Sequence, residues 1–320
     1  MPVASPAPML AIFLETLPFF GLIALGYGAG RAGFFTPEAT AWLTRFVFWF
    51  ALSAMLFGFA ANLSLAEVFD ARFVGAYLWG CFAVYLLATA VGMVRGLPVA
   101  ESAVEAQVAV IGNVGFLGIP MFVLLLGPES AGPLLMVLAT DLIVFSSLIV
   151  ILVTGSREGR VSPGTLRSVA LGLARNPMIV SILAGLAWSA TGRDLWPPVA
   201  EFVGLLGAAA TPGALFAIGA SLAGKTTERL AVAGWLTFCK LVLHPAAVAL
   251  AALVLFPVAD PFDATVMIAA ASLPVAGNVY MLAQHYGVAP QRVSAAILVS
   301  TAASIVTVSL AIGLLTGGAP

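Results

Sequence analysis

Charge is what this sequence lacks most. Asp, Glu, Lys and Arg make up 8% of its 320 residues, against a hydrophobic share of 62%. A soluble domain carries about 25% charged residues, and a soluble fold of this length would need far more polar surface to cover its core. Basic runs are absent as well, so the net charge of −1 gives nucleic acid no footing. The two cysteines, Cys81 and Cys239, lie inside apolar runs, away from any CxxC or His-rich pattern. They read as small buried hydrophobes. There is no HExxH, no GxSxG and no paired-Asp motif, and no cofactor or metal site is implied. No Lys or Arg precedes Arg31. The basic n-region of a secretory signal is therefore missing, and the first apolar run reads as a permanent span.

What the sequence does have is apolar runs of about twenty residues, the length that crosses a bilayer, repeated from end to end. Ten spans are expected, near 10–30, 42–61, 73–94, 104–126, 133–154, 176–191, 200–222, 231–256, 264–286 and 292–315. Short connections rich in Gly, Pro or charge separate them, such as Gly127-Pro128-Glu129-Ser130 and Asp260-Pro261-Phe262-Asp263. The longest connection, 155–175, holds Arg157, Arg160, Arg167 and Arg175, and part of it is expected to form a surface helix. Alternate loops on one side carry Arg31, Arg45, Arg95, those four arginines, Lys225, Arg229 and Arg292. The opposite loops carry only Arg72 and Arg193. The positive-inside bias places the arginine-rich side in the cytoplasm of the cell (inner) membrane and both termini outside.

The two halves match in layout. A shift of 159 residues places Pro18 on Pro177 and the fourth span on the ninth. The expected organisation is a five-helix repeat over 1–154, a cytoplasmic linker over 155–175 and a second repeat over 176–320. Five spans per half is odd, so the second repeat is inverted, a plan common among secondary transporters. The fourth span contains Gly112-Asn113-Val-Gly115-Phe-Leu-Gly118-Ile-Pro120, and the ninth contains Ser272-Leu-Pro274-Val-Ala-Gly277-Asn278. Pro removes a backbone donor and clashes with the preceding turn; Gly weakens a helix by about 1 kcal/mol relative to Ala. Unwinding is expected near Gly115–Pro120 and Pro274–Asn278. Such paired breaks point to a binding site, with Asn113, Gly118, Pro120, Pro274, Gly277 and Asn278 as the candidate substrate-binding residues. The alternative is a pair of proline kinks with packing glycines.

Two charges fall near mid-membrane, Asp141 in the fifth span and Lys240 in the eighth. Each costs about 2.5–3.5 kcal/mol there on the lenient insertion scale, so they are expected to relieve each other as a charge pair. That pair is either structural or part of ion coupling. His244 shares the helix face of Lys240 and reads as a packed residue. Glu105 reads as a solvated group at the mouth of the fourth span, alongside Gln107. Glu15 and His285 read as interfacial groups.

The segments Gly112–Pro120, Asn176-Pro177, Ala271-Ser-Leu-Pro274 with Gly277-Asn278, Leu25-Gly26-Tyr27, and Lys240 before His244-Pro245 together resemble the auxin efflux carrier family. The likeness is to its bacterial branch, related to malonate and malate carriers and to plant PIN-type exporters. The resemblance spans nearly the whole chain. It implies an all-α ten-helix membrane fold like that of sodium–proton antiporters and bile-acid carriers, with the fourth and ninth spans crossing at the midplane. It also implies a secondary transporter of a small organic anion, a mono- or dicarboxylate. The long central loop of many PIN-type proteins is absent. Expected partners are the anion and the bilayer; nucleic acid is not one, and a homodimer is possible. A channel would need a continuous polar path, an intramembrane enzyme would need a denser acid–base cluster, and a receptor would need a signalling domain.

Overall fold

The computed structural model describes residues 6–63, 70–158, 162–224 and 230–316. Arg160, Lys225 and Arg229 of the orientation argument lie outside the described residues, and so does the side chain of Glu15. The described chain is helical throughout. In order the helices are α1 (Pro6–Arg31), α2 (Pro37–Ala61), α3 (Ala71–Val94), α4 (Val99–Val110), α5 (Val114–Leu126), α6 (Pro128–Arg157) and α7 (Pro163–Ala174). There follow α8 (Pro177–Ser189), α9 (Pro197–Leu222), α10 (Leu230–Leu255), α11 (Pro261–Ala271), α12 (Gly277–Tyr286) and α13 (Pro290–Thr316).

The connections punctuate as their chemistry requires. Asp70, Asn176 and Asp260 each accept a backbone N–H from the first turn of the helix that follows, at 2.7, 2.9 and 2.8 Å. Ser162 and Thr165 close a capping box on α7. Pro37, Pro163, Pro177, Pro197 and Pro261 stand in first turns, where a missing N–H costs nothing. The expected surface helix in the linker is α7. It is mostly exposed and bends 61° from α8.

Among the described residues six helices are long and apolar enough to cross a bilayer: α2, α3, α6, α9, α10 and α13. A seventh results if α7 and α8 count as one bent span. Large apolar side chains such as Trp49, Phe50, Leu86, Phe202, Leu205 and Val254 face outward. Lipid is the solvent that accepts them. The chain is a multi-span membrane protein. Four expected spans stand outside these six: the fourth and ninth are each divided into two short helices, the sixth is α8 with only 13 residues, and the first is α1, 26 residues long.

The bundle closes by small-residue packing. A Cβ at Gly219 would lie 1.9 Å from the carbonyl oxygen of Ile23, and one at Gly26 would lie 2.1 Å from that of Phe216. Glycine on both faces lets α1 and α9 approach backbone to backbone, the usual device where lipid supplies no hydrophobic drive between helices.

Candidate functional site

The two broken spans meet at their breaks. Gly112 and Val275 form an antiparallel bridge. The N–H of Asn113 donates to the carbonyl of Pro274 at 2.8 Å, and that of Ala276 donates to the carbonyl of Ile111 at 3.1 Å. Each unwound strand thereby satisfies backbone groups of the other, as non-helical backbone at membrane depth must. Val275 N–H is taken up by Ser300 Oγ on α13 at 3.2 Å.

The first break lies earlier than the glycine and proline pattern suggests. Residues 111–113 are unwound, whereas Val114–Gly118 forms a π turn and Ile119–Leu126 an α-helix. The expected unwinding at Gly115–Pro120 is corrected accordingly. Pro120 sits in the first turn of that α segment, where proline opens a helix instead of breaking it. The second break covers 272–276, and α12 begins at Gly277.

The six candidate binding residues divide by role. Gly118 is a packing position: a Cβ there would lie 2.6 Å from Leu273 Cδ1, so glycine admits the opposite break. Pro120 and Pro274 shape the backbone. Asn113, Gly277 and Asn278 supply the polar and open part. Asn113 is 5% exposed and precedes the first turn of α5 with no side-chain capping bond. Asn278 is half-buried in the first turn of α12, and its amide oxygen is buried without a partner. No atom lies within 4 Å of a Cβ built on Gly277, so there is room beside the α12 N-terminus. The starts of α5 and α12 therefore converge on the bridge. Each brings first-turn N–H groups and about half a positive charge.

The ends of α4 and α11 also converge there, with the opposite sign. Lys240 answers them. Its Nζ donates to the carbonyl of Ala271, the last residue of α11, at 2.5 Å, and lies 3.4 Å from the Cβ position of Gly112. It is fully buried. The ammonium also meets His244 Nδ1 at 3.1 Å. The same ring nitrogen lies 3.2 Å from the Ala271 carbonyl, and Nε2 lies 3.1 Å from Cys81 Sγ, so the imidazole links the ammonium, that carbonyl and the thiol.

Lys240 and Asp141 do not form the direct ion pair expected of them; the ion pairs among the described residues are elsewhere. Asp141 Oδ1 instead accepts from Tyr77 Oη at 2.9 Å, and Oδ2 is buried with no partner. The Tyr77 ring stands edge-on to His244, 6.1 Å between centroids. The two charges interact electrostatically across a cluster made of Tyr77, Cys81 and His244. His244 is thus a buried member of the cluster, and Cys81, buried as expected, meets it through sulfur. Tyr77 carried no sequence signal: an isolated tyrosine in an apolar run reads as packing.

Glu105 also departs from expectation. It is 1% exposed and accepts from Arg95 at 2.7 Å and Arg292 at 2.9 Å. Arg292 reaches Glu101 as well, at 2.5 Å. The solvated-end reading failed because Arg292, far along the chain, brings its guanidinium over the start of α4. Gln107 is buried, with its amide oxygen unpartnered. His285 is exposed, packed edge-on to Tyr286.

The family described as membrane transport protein matches residues 11–312. The chain belongs to this family, that of the auxin efflux carriers. A protein of Rhizobium meliloti (strain 1021) named "Putative malonate transporter" is 33% identical over 309 residues, covering 95% of each chain. The "Uncharacterized transporter YfdV" of Escherichia coli (strain K12) is 26% identical over 323 residues, covering 94% of this chain and 97% of its own. Members of the auxin efflux carrier family are transporters, not enzymes.

Proposed function

We propose that the protein is a secondary transporter of a small carboxylate, working by alternating access around a site at the α4/α5 and α11/α12 crossing. The observation that carries the reading is the convergence of two helix N-termini on one unwound bridge, with Asn113 and Asn278 beside them and space at Gly277. That arrangement suits an anion, and amides add donors without a full charge that would hold the substrate too tightly to release. The malonate named for the relative in Rhizobium meliloti has this chemistry, as would an auxin-like monocarboxylate.

In this reading the two halves are inverted five-span repeats, 1–154 and 176–320, joined by the linker over 155–175, ten spans in all. The broken helices occupy equivalent places in the two repeats. The cytoplasmic face of the inner membrane is the arginine-rich one. Arg95, Arg292 and Arg157 gather with the ends of α3, α4, α12 and α13, and Arg157 donates to the Tyr286 carbonyl, as shared sidedness requires. Lys240 and Asp141 serve as the charge elements that govern the crossing.

Counterflow in proteoliposomes tests the proposal, with labelled malonate, malate and indole-3-acetate as probes. A carrier exchanges labelled for unlabelled probe without altering it. Asn113→Ala and Asn278→Ala are each expected to weaken exchange about tenfold, with protein levels intact, because one hydrogen bond to a charged group is worth about 1.5–3 kcal/mol. Transport of choline in place of carboxylates, indifferent to both substitutions, would overturn site and substrate class together.

A further inference from the structure

We infer that Asp141 is a proton-binding site and that one proton travels with each anion. The inference rests on the carboxylate-carrier reading and adds its coupling ion.

The geometry favours a proton over a metal cation. Asp141 is 3% exposed, and its Oδ2 has no hydrogen-bond partner, so one oxygen of a buried carboxyl is left with a lone pair and nothing to fill it. Its neighbours are donors. From α3 come the Tyr77 hydroxyl, which donates to Oδ1, and Cys81; from α10 come the Lys240 ammonium and His244. A hard cation takes a shell of oxygen acceptors, and among the described residues no cluster of acidic, His and Cys side chains could hold one. The facing parts of α2 and α5 bring no titratable side chain, Glu101 and Glu105 of α4 are held by Arg95 and Arg292, and Asp263 of α11 interacts instead with Asp260 and Asp70. A proton arriving at Oδ2 forms an O–H bond there and neutralises the carboxylate; no other bond need change, and the same proton leaves when the carboxyl ionises again.

The cluster transmits that charge to the crossing. Lys240 rests on the Ala271 carbonyl and beside Gly112, next to the bridge. When Asp141 is ionised, its negative charge offsets the ammonium. When Asp141 is protonated, the positive charge of Lys240 stands uncompensated beside the anion site. The proton therefore strengthens anion binding, and by reciprocity the anion strengthens proton binding. Both cross together, as a symport.

The test uses the purified full chain in proteoliposomes that enclose a pH-sensitive dye, with malonate as probe. External malonate is expected to acidify the interior as it enters. Its affinity is expected to fall with rising pH, by up to about tenfold per unit, as linkage of one proton to one anion requires, measured at pH values where malonate itself stays fully ionised. In Asp141→Asn the proton signal per malonate moved is expected to drop at least tenfold and the affinity to become independent of pH, whereas Asp141→Glu keeps both. Net malonate uptake by the unaltered protein, down its gradient into malonate-free vesicles, with no pH change and a flat pH profile would overturn the inference while leaving the carrier intact. Absence of counterflow with any of the three carboxylate probes would overturn the carrier reading and this inference with it.

Discussion

Replacing Glu105 by Gln removes one negative charge from the point where α3, α4 and α13 meet. Both carboxylate oxygens are in use, Oε2 toward Arg95 at 2.7 Å and Oε1 toward Arg292 at 2.9 Å. The amide can still accept one guanidinium N–H but must turn its NH2 toward the other. Breaking a buried pair from one side costs about 3–5 kcal/mol. That range is too high here, because the Arg95 and Arg292 side chains keep 30% and 15% exposure, and Arg292 retains Glu101. One lost bond between charged groups, about 1.5–3 kcal/mol, is the expected destabilisation. The comparison is Glu101→Gln. The Glu101 side chain is 31% exposed, and its loss should cost about 0–1 kcal/mol, as for an accessible pair. Equilibrium unfolding by SDS titration in mixed micelles measures both, and a double-mutant cycle of Glu105→Gln with Arg95→Gln isolates one pair. If Glu105→Gln falls within about 0.5 kcal/mol of wild type, or costs no more than Glu101→Gln, the buried carboxylate is not the anchor that its geometry implies.

Two further outcomes are expected. Gly219→Val should cost about 3 kcal/mol or more and reduce monodisperse protein in size-exclusion chromatography, since its Cβ would meet the Ile23 carbonyl at 1.9 Å; Gly21→Ala, with nothing within 4 Å, should be tolerated, and equal yields would refute the close-packing argument. Lys240→Met should destabilise the bundle by leaving Asp141 without the cation that interacts with it, and adding Asp141→Asn should recover folding, read as melting temperature in detergent, but not transport; a double variant no more stable than Lys240→Met would show that the ammonium acts through Ala271 alone.

Much of this arrangement was legible in the sequence because membranes make polar residues scarce. In an apolar run, Asn113, Asn278, Asp141 and Lys240 are conspicuous, and their depth follows from counting at 1.5 Å per residue. Repeated breakers marked both interruptions, since proline and glycine act locally on the helix that contains them. Partner choice was not legible. Glu105 looked solvated until Arg292 was seen to cover it. Tyr77 and Cys81 had no chemistry of their own until His244 and Asp141 were placed against them.

The failure to pair Asp141 with Lys240 has a sharper cause. Depth along a helix is insensitive to a single extra residue, which shifts it by only about 1.5 Å. Azimuth is not, because each residue turns the helix by about 100°. A π turn inserts such a residue. Asp141 opens a π turn, Asp141–Phe145, and Lys240 lies in another, Cys239–Leu243. Counting at 3.6 residues per turn therefore places both side chains at the right level and says little about where they point. The same widening separates their backbones from regular α-helix at the places where the polar cluster is built, much as Val114–Gly118 does beside Asn113. Three of the π turns thus coincide with the crossing and its charge cluster, and a regular helix at any of them would turn the side chains that follow by about 100° away from the neighbours on which the proposed site depends.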